Sequence, residues 1–416
     1  MNLPNPLDDG FTPLHEAAKA GHLDICKLIT ENLEDKNPPD DDGWTVLHDA
    51  ADRGDEEVYR LIMNLVEDKN PATDYDTPFF QAIDKGHFVI CKTIIDTTGD
   101  KIPVVDMLEA WRNAVEEGHL EICQLMIKHV MDKNPLSHRL LHFAETFQEE
   151  WTLLHHAAFN GHFGICKLII KNVNNKNPAG QGGRTPLHYA AMRGHMDICQ
   201  LIIDNVSNKN PADNNRETPL HIAVRRGHVN VCRVIVESVE NPLTEDEIGN
   251  TPLHVAADMG DMAMCRTIIN NVRDKNPLSS VQNRVSRGRT PLHLAARKGH
   301  LSVCRLIMAN LKDKNPADNA GQTPLHFAAE YGHVDVCRAI MSKLENKNPA
   351  GENGVTPLHD AAEYGHMDVC KLFAELVEDI RPRTVEGPKP WQGATPSDIA
   401  RRWLYDDVAD FLDSLN

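Results

Sequence analysis

Histidine and cysteine side chains recur four residues apart along most of this chain. The pairs His22/Cys26 and His195/Cys199 are two of nine such copies. This spacing places both side chains on one face of a helix, and imidazole and thiolate are common ligands of Zn²⁺. A zinc site, however, needs three or four convergent ligands, and each helix supplies only two. We therefore interpret these histidines, and those of a repeated Thr-Pro-Leu-His motif, as hydrogen-bonding groups that tie turns together, and we expect no metal site.

The cysteines all stand at one position of a repeating unit, fourteen residues after the position that opens it, and Tyr59 takes that position in the second unit. The ten are Cys26, Cys91, Cys123, Cys166, Cys199, Cys232, Cys265, Cys304, Cys337 and Cys370. We interpret them as small core residues. Neighbouring copies would lie roughly 8 to 10 Å apart, beyond the ~7 Å limit for a disulfide. The pattern favours a reducing, cytoplasmic location.

Catalytic and cofactor-binding patterns are absent from the sequence. There is no glycine-rich phosphate loop after a strand, no nucleophile elbow and no carboxylate pair outside the repeat pattern. We interpret the acidic run Asp40 to Asp42 as a solvated turn rather than a calcium site. The histidines outside repeated positions are His129, His138, His142 and His156. We expect neither enzymatic activity nor a cofactor.

A period of 33 residues organises the chain. Thr-Pro-Leu-His begins at Thr12, Thr185, Thr218, Thr251, Thr290, Thr323 and Thr356, and variants begin at Thr45, Thr77 and Thr152. Each unit continues with two small residues, then Gly-His, then an apolar run with cysteine, then Lys-Asn-Pro. Threonine can cap a helix and proline fits its first turn, so Thr-Pro predicts the start of a first helix. Gly-His predicts a tight turn into a second helix, which Asn-Pro ends.

These motifs resemble the ankyrin repeat over nearly the whole chain. The resemblance implies an all-α ankyrin-repeat solenoid of helix-turn-helix units with hairpin fingers, a curved superhelical rod on the order of 100 Å long. We predict one array over residues 1–416, with eleven repeats opening near residues 12, 45, 77, 109, 152, 185, 218, 251, 290, 323 and 356, and a half-repeat cap at 395–416. Insertions at 136–150, 278–289 and 379–394 are predicted to be loops.

The end of the second helix departs from the family pattern. The glycine that usually caps this helix is replaced by Leu33, Val66, Val173, Val206, Val239, Val272, Leu311 and Leu344. We therefore expect a longer second helix. The following Asn, Asp or Lys would then take over the capping role.

The net charge of −18 is distributed unevenly. Residues 1–135 carry 12 basic and 28 acidic side chains, whereas residues 136–308 carry 20 basic and 15 acidic ones. A nucleic-acid binder needs clustered cations, so the acidic ends argue against that class. No apolar stretch approaches the ~20 residues that span a membrane.

A binding face is predicted on the first helices. The residue after each Thr-Pro-Leu-His and the two before Gly-His share one helical face. They are polar or acidic in repeats one to four and become apolar beside arginines from repeat five onward, as in Ile222/Arg225/Arg226. The predicted partner-binding residues are Phe159, Arg184, Tyr189, Arg193, Arg216, Ile222, Arg225, Arg226, Arg289, Leu294, Arg297, Lys298, Phe327 and Tyr331. The alternative at each apolar position is burial by packing.

We expect a monomeric protein-binding scaffold or adaptor. Arginine and aromatic anchors favour an acidic or phosphorylated partner segment on the concave face of the middle and C-terminal repeats. Two alternatives stay open. The chain could be the targeting or sensing part of a larger enzyme or channel, or, less favoured, a nucleic-acid binder that uses the basic middle repeats.

Overall fold

The computed structural model describes residues 10–73, 76–99, 101–133, 151–280, 288–385 and 392–415. The chain divides between Gln181 and Gly182 into two compact units. No helix within the described ranges combines the length and hydropathy of a membrane span. The insertion at 136–150, with His138 and His142, lies outside the described residues.

Both units consist of antiparallel helix pairs, one pair per repeat. The N-terminal unit contains α1 (Pro13–Ala20), α2 (Leu23–Asn32), α3 (Val46–Arg53), α4 (Glu56–Met63), α5 (Pro78–Asp84), α6 (Phe88–Thr98), α7 (Val104–Glu116), α8 (Leu120–Lys133), α9 (Leu153–Asn160) and α10 (Phe163–Asn172). The C-terminal unit contains α11 (Pro186–Arg193), α12 (Met196–Asn205), α13 (Pro219–Arg225), α14 (Val229–Ser238), α15 (Pro252–Met259), α16 (Met262–Asn271), α17 (Pro291–Arg297), α18 (Leu301–Ala309), α19 (Pro324–Glu330), α20 (Val334–Met341), α21 (Pro357–Glu363), α22 (Met367–Leu376), α23 (Pro396–Arg402) and α24 (Asp406–Ser414). Short 3₁₀ turns lie at Gln181–Gly183 and Glu352–Gly354, and one isolated antiparallel bridge joins Pro39 to Thr45.

The first helix of a repeat is capped by the finger that precedes it. In repeat ten, Thr323 is the N-cap residue and Pro324, which has no N–H, takes the first helical position. The next N–H, that of Leu325, donates to Oδ1 of Asn315 at 3.0 Å. Asn315 belongs to the Lys-Asn-Pro motif, so its asparagine satisfies a helix end that would otherwise be buried without a partner.

The motif histidine hydrogen-bonds to the following finger in repeat one and in repeats six to eleven. Repeats three and four carry Phe80 and Arg112 at its position, and Nε2 of His48 has no hydrogen-bond partner among the described residues. In repeat six, Nδ1 of His188 lies 3.0 Å from the backbone nitrogen and 2.9 Å from Oγ1 of Thr185, while Nε2 lies 3.2 Å from the carbonyl oxygen of Glu217. A carbonyl only accepts, so Nε2 carries the proton and donates, and Nδ1 accepts from Thr185. The buried ring is therefore neutral and in one tautomer. The prediction that these histidines tie turns together is confirmed.

The Gly-His histidine makes a second bridge, toward the preceding repeat. His300 Nε2 donates to the carbonyl of Asp258 at 3.0 Å. Its ring lies against Gly260, where an added Cβ would stand 2.6 Å from the ring, and Gly260 also has a φ of 75°. Only glycine combines that left-handed backbone with so close an approach.

The second helices are not longer than usual, so that expectation is wrong. Helix α12 ends at Asn205, and Val206 after it is extended, with φ −127° and ψ 152°. The expected capping by lysine is observed at three repeats: Lys36, Lys275 and Lys314 each donate from Nζ to two carbonyls at the end of the preceding second helix. A cation there also opposes the negative end of the helix dipole.

The finger aspartates are structural. Oδ1 of Asp213 accepts the N–H groups of Asn215 and Glu217, both at 2.9 Å, and Asp246 and Asp318 repeat the pattern. Asp40 does the same for Asp42 and Trp44. The acidic run at 40–42 is therefore only partly a solvated turn, because its first carboxylate holds the finger closed.

Repeat four and the C-terminal helix pair depart from the common pattern. Helix α7 begins at Val104, five residues before the predicted opening at Glu109. In α23, Asp398 replaces the motif histidine and accepts from the backbone N–H and Oγ1 of Thr395, at 2.9 and 2.8 Å. A carboxylate offers no donor for a following repeat, which is consistent with a capping element.

All ten cysteines are buried in the seams between helices, as predicted. Burial raises the pKa of Cys91, Cys123, Cys232, Cys265, Cys304, Cys337 and Cys370 to about 12. Within the described residues, no three His, Cys, Asp or Glu side chains approach closely enough to hold a metal ion.

Acidification should unfold the chain. Burial lowers the pKa of His188, His254, His293 and His326 to about 4, against 6.5 for a free imidazole. Between those values the unfolded chain binds protons that the folded chain does not. The free energy of unfolding therefore decreases as the pH is lowered, by up to about 1.4 kcal/mol per pH unit for each histidine. Burial raises the pKa of Asp49 to about 6 and also raises that of Asp84, Glu330, Asp360 and Glu363, and these groups act in the opposite direction. They are outnumbered by the nine histidines whose pKa burial lowers.

Urea unfolding followed by circular dichroism between about pH 7 and pH 4 measures this effect. A midpoint that stays constant down to about pH 5, where ordinary carboxylates are still charged, would contradict it.

The thiols should be unreactive in the folded chain. Attack on an aromatic disulfide reagent requires an accessible thiolate, and burial denies both access and ionisation. We expect native protein to react far more slowly than protein in strong urea, where all ten thiols should titrate. Fewer than ten thiols in urea without reductant would instead indicate disulfides.

Candidate partner-binding surface

The first predicted position on the first helices of repeats six to ten is buried. Tyr189, Ile222, Leu294 and Phe327 all lie within the core of the C-terminal unit. They come directly after the motif histidine, where the first helices of neighbouring repeats pack together. The expectation that these four side chains form an exposed apolar row is therefore wrong, and burial by packing is the correct interpretation.

The position directly before the glycine of the turn is exposed. Met259 in repeat eight and Tyr331 in repeat ten expose 46% and 49% of their surface, and Arg193, Arg226 and Lys298 at the same position are also exposed. This position lies at the end of the first helix, beyond the contact between neighbouring helices. The available surface therefore lies mainly at this position and at the finger tips, with Arg225 exposed one position earlier.

Two predicted finger arginines are paired within the chain. Arg184 Nε lies 3.2 Å from Oδ2 of the buried Asp213, and Arg289 Nε lies 3.9 Å from Oδ2 of the buried Asp318. The Arg289 guanidinium also lies 4.6 Å from the ring centroid of Phe327. These arginines join consecutive fingers, and their charges are largely compensated.

Two helix arginines are paired as well. Arg225 reaches Glu217 at 2.6 Å, and Arg297 reaches Asp258 at 2.8 Å. Both pairs are partly exposed, so solvent screens them and a partner carboxylate could compete.

Three predicted cations have no carboxylate within 4 Å among the described residues: Arg216, Arg226 and Lys298. All three are exposed. Arg216 has a φ of 58°, and it stands where other fingers carry a glycine such as Gly249 or Gly321. An arginine in the left-handed region costs about 1 kcal/mol relative to glycine, so structure alone does not account for it.

A cavity of about 290 Å³ lies between the fingers and first helices of repeats seven to nine. Arg225, Arg289 and Arg297 contribute to its lining, together with the exposed apolar side chains of Ile248 and Met259. The lining also includes the carboxylates of Asp246 and Asp258, and the exposed Arg226 and Lys298 adjoin Arg225 and Arg297 in the chain. We call this region the basic groove.

The predicted residue Phe159 lies in the N-terminal unit and is half-buried. Its ring packs edge-on against Trp151 at a centroid distance of 5.5 Å. Trp151 also contacts His156, whose Nδ1 lies 2.7 Å from Oε1 of Glu116. Burial and the nearby Arg112 lower the pKa of His156 to about 4, so a neutral ring donates to Glu116. The arrangement is a packed aromatic cluster with a hydrogen bond.

Met259 belongs to the predicted helical face but, like Ile248 and Tyr364, is not among the predicted partner-binding residues, although all three are exposed. Met259 and Tyr364 stand directly before a turn glycine, so that position alone would have identified them. Ile248 stands at a finger tip, where the repeat pattern carries no apolar signal.

Comparison with known proteins bears on this architecture. A family model described as ankyrin repeats in three copies matches residues 1–73, 80–177, 113–213, 154–246, 190–279, 237–318, 276–350 and 292–384. The chain is similar to the solved human ASB11 ankyrin repeat domain, with 24% identity and a TM-score of 0.44, over 56% of this chain and 98% of that one. It is also similar to the ankyrin repeat domain of Bcl-3, a member of the IkappaB protein family, with 22% identity and a TM-score of 0.46, over 56% of this chain and all of that one. No curated protein matches the chain.

The family model covers most of the sequence and agrees with the helix pairs, the fingers and the Thr-Pro-Leu-His bridges. Ankyrin repeat domains generally mediate protein–protein interaction. This chain belongs to the ankyrin repeat family.

Proposed function

We propose that the chain is an interaction scaffold that binds an acidic segment of a partner protein in the basic groove of repeats seven to nine. The observation that carries the proposal is the cavity in which Ile248 and Met259 are exposed among arginines. An apolar anchor of the partner would contact these two side chains, and its carboxylates or phosphates would meet the surrounding cations.

The distribution of paired and unpaired cations supports an acidic partner. Arg226 and Lys298 lose no internal ion pair when they bind an external anion. Arg225 and Arg297 would exchange screened surface pairs for bonds in a less exposed setting. Arg184 and Arg289 hold the fingers in place and therefore shape the groove. These six predicted cations thus divide into residues that would contact the partner and residues that position the fingers.

Charge reversal at Arg226 and Lys298 should abolish binding of acidic peptides without affecting folding. The test selects a random displayed peptide library against the wild type and against the Arg226→Glu/Lys298→Glu variant. We expect the wild type to enrich peptides that place an apolar residue among Asp and Glu, and the variant to lose that enrichment. Both side chains are exposed and unpaired, so the unfolding midpoint should stay unchanged.

A matched control reverses Arg233 and Arg266, which are exposed on second helices of the same unit and give the same change in net charge. This control should retain the enrichment. Equal loss in both double variants would show that net charge rather than the groove governs binding, and would refute the proposal.

Arg216→Gly should separate stability from binding. Glycine adopts the left-handed backbone without strain, so we expect the free energy of unfolding to rise by about 1 kcal/mol. Loss of the cation should at the same time weaken binding of the selected acidic peptides, as measured by calorimetry. Unchanged or stronger binding would remove Arg216 from the site.

A further inference from the structure

A second cluster of side chains lies on the first helices of repeats ten and eleven, beyond the basic groove of repeats seven to nine. It is acidic. It consists of Glu330 and Tyr331 in repeat ten and Asp360, Glu363 and Tyr364 in repeat eleven. Both tyrosines are about half exposed and both glutamates half-buried. We call this set the acidic aromatic cluster.

Asp360 is the unusual member. Only 7% of its surface is accessible, and its Oδ2 is buried without a hydrogen-bond partner among the described residues. A buried carboxylate oxygen without a hydrogen-bond partner destabilises the folded chain. A hydrogen-bond donor or a cation that reached this oxygen would relieve that cost. Burial, reinforced by Glu330 and Glu363, raises the pKa of Asp360 well above its ordinary range.

Repeat two carries an aspartate at the same position, and its Oδ2 is likewise buried without a hydrogen-bond partner among the described residues. Asp49 occupies the position of Asp360, and the indole Nε1 of Trp44 donates to its Oδ1 at 3.0 Å. Trp44 directly precedes the motif threonine of repeat two, whereas Val355 stands there in repeat eleven. Valine has no side-chain donor, so Asp360 lacks the hydrogen bond that Asp49 receives from the residue before the motif threonine.

The neighbouring side chains complete a site for a cation. The Tyr364 ring stacks on His366, with centroids 6.5 Å apart and planes 16° apart, and His366 Nε2 donates to the carbonyl of Glu330 at 2.8 Å. The aromatic face is thereby fixed in place beside the carboxylates. Burial also raises the pKa of Glu330 and of Glu363. Aromatic faces and carboxylates together favour arginine, whose planar cation stacks and bonds at once.

We infer that the acidic aromatic cluster binds an arginine side chain of a basic segment in a partner protein, with the guanidinium between the tyrosines and the carboxylate of Asp360. The site deepens the proposed function, because one partner could present an acidic part to the basic groove and a basic part here. Arg289 and Arg297 line the basic groove, and their charges also act on Glu330 of the acidic aromatic cluster. The two surfaces are therefore adjacent.

The experiment titrates the full chain with two labelled peptides of equal length, one of alternating arginine and glycine and the other with citrulline in place of arginine. Citrulline keeps the shape and removes the charge. We expect the wild type to prefer the arginine peptide by about tenfold or more, as a charge-assisted contact implies. Asp360→Asn should abolish the preference, and Tyr364→Ala should weaken binding of the arginine peptide.

Asp368→Asn is the matched control, since Asp368 lies on the second helix of the same repeat, is highly exposed and carries the same charge. It should keep the preference. Thermal unfolding checks folding: Asp360→Asn should melt no lower than the wild type, because it removes a buried charge without a partner. If that variant nevertheless unfolds, Glu363→Gln replaces it, with a reduced preference expected.

No preference in the wild type, or equal effects of Asp360→Asn and Asp368→Asn, would overturn the inference. The Arg226→Glu/Lys298→Glu variant keeps the two proposals distinguishable. It should bind the arginine peptide as the wild type does, even if the basic groove binds nothing.

Discussion

The buried neutral imidazole of the Thr-Pro-Leu-His motif is the interaction on which the rest of the structure depends. One nitrogen accepts from the threonine that caps its own helix, and the other donates to a carbonyl of the next finger, as in His254 with Thr251 and Arg289. One side chain therefore sets the start of a helix and the distance to the following repeat. Helix pairs this short could not bury their apolar faces alone, so the bridge and the stacking require each other.

This bridge also determines which residues remain for binding. The residue after the histidine is drawn into the contact between first helices, whereas the residue before the turn glycine stays outside it. Finger arginines such as Arg184 form a second set of contacts between repeats, each with an aspartate 29 residues later. The residues left accessible on the first helices and fingers of the C-terminal unit include members of the basic groove in the middle repeats and of the acidic aromatic cluster beyond them.

Local features of the sequence predicted much of the fold. Thr-Pro marks the helix starts, Gly-His marks the turns, and the cysteine position marks a buried seam, because each rests on chemistry within a few residues. The site was harder to predict, since periodicity within one helix cannot tell a face covered by the next repeat from a face in solvent. Phe327 and Leu294 were assigned to the surface for that reason.

Contacts over longer intervals escaped the sequence reasoning as well. The asparagine of Lys-Asn-Pro caps a helix ten residues later, and Arg289 reaches Asp318 in the following finger. A search for arginine and aspartate residues 29 positions apart would have identified these pairs. No such reading reveals that Oδ2 of Asp360 is buried without a hydrogen-bond partner among the described residues, because the burial of that atom depends on packing in three dimensions.

The most direct test of this account is a nitrogen-15 spectrum of the histidine side chains near neutral pH. The account predicts that the rings of His188, His254, His293 and His326 are neutral, with the proton on Nε2 and slow exchange with solvent. Rings that carry the proton on Nδ1, or that titrate like a free imidazole, would contradict the bridge between repeats and the surface assignments that follow from it.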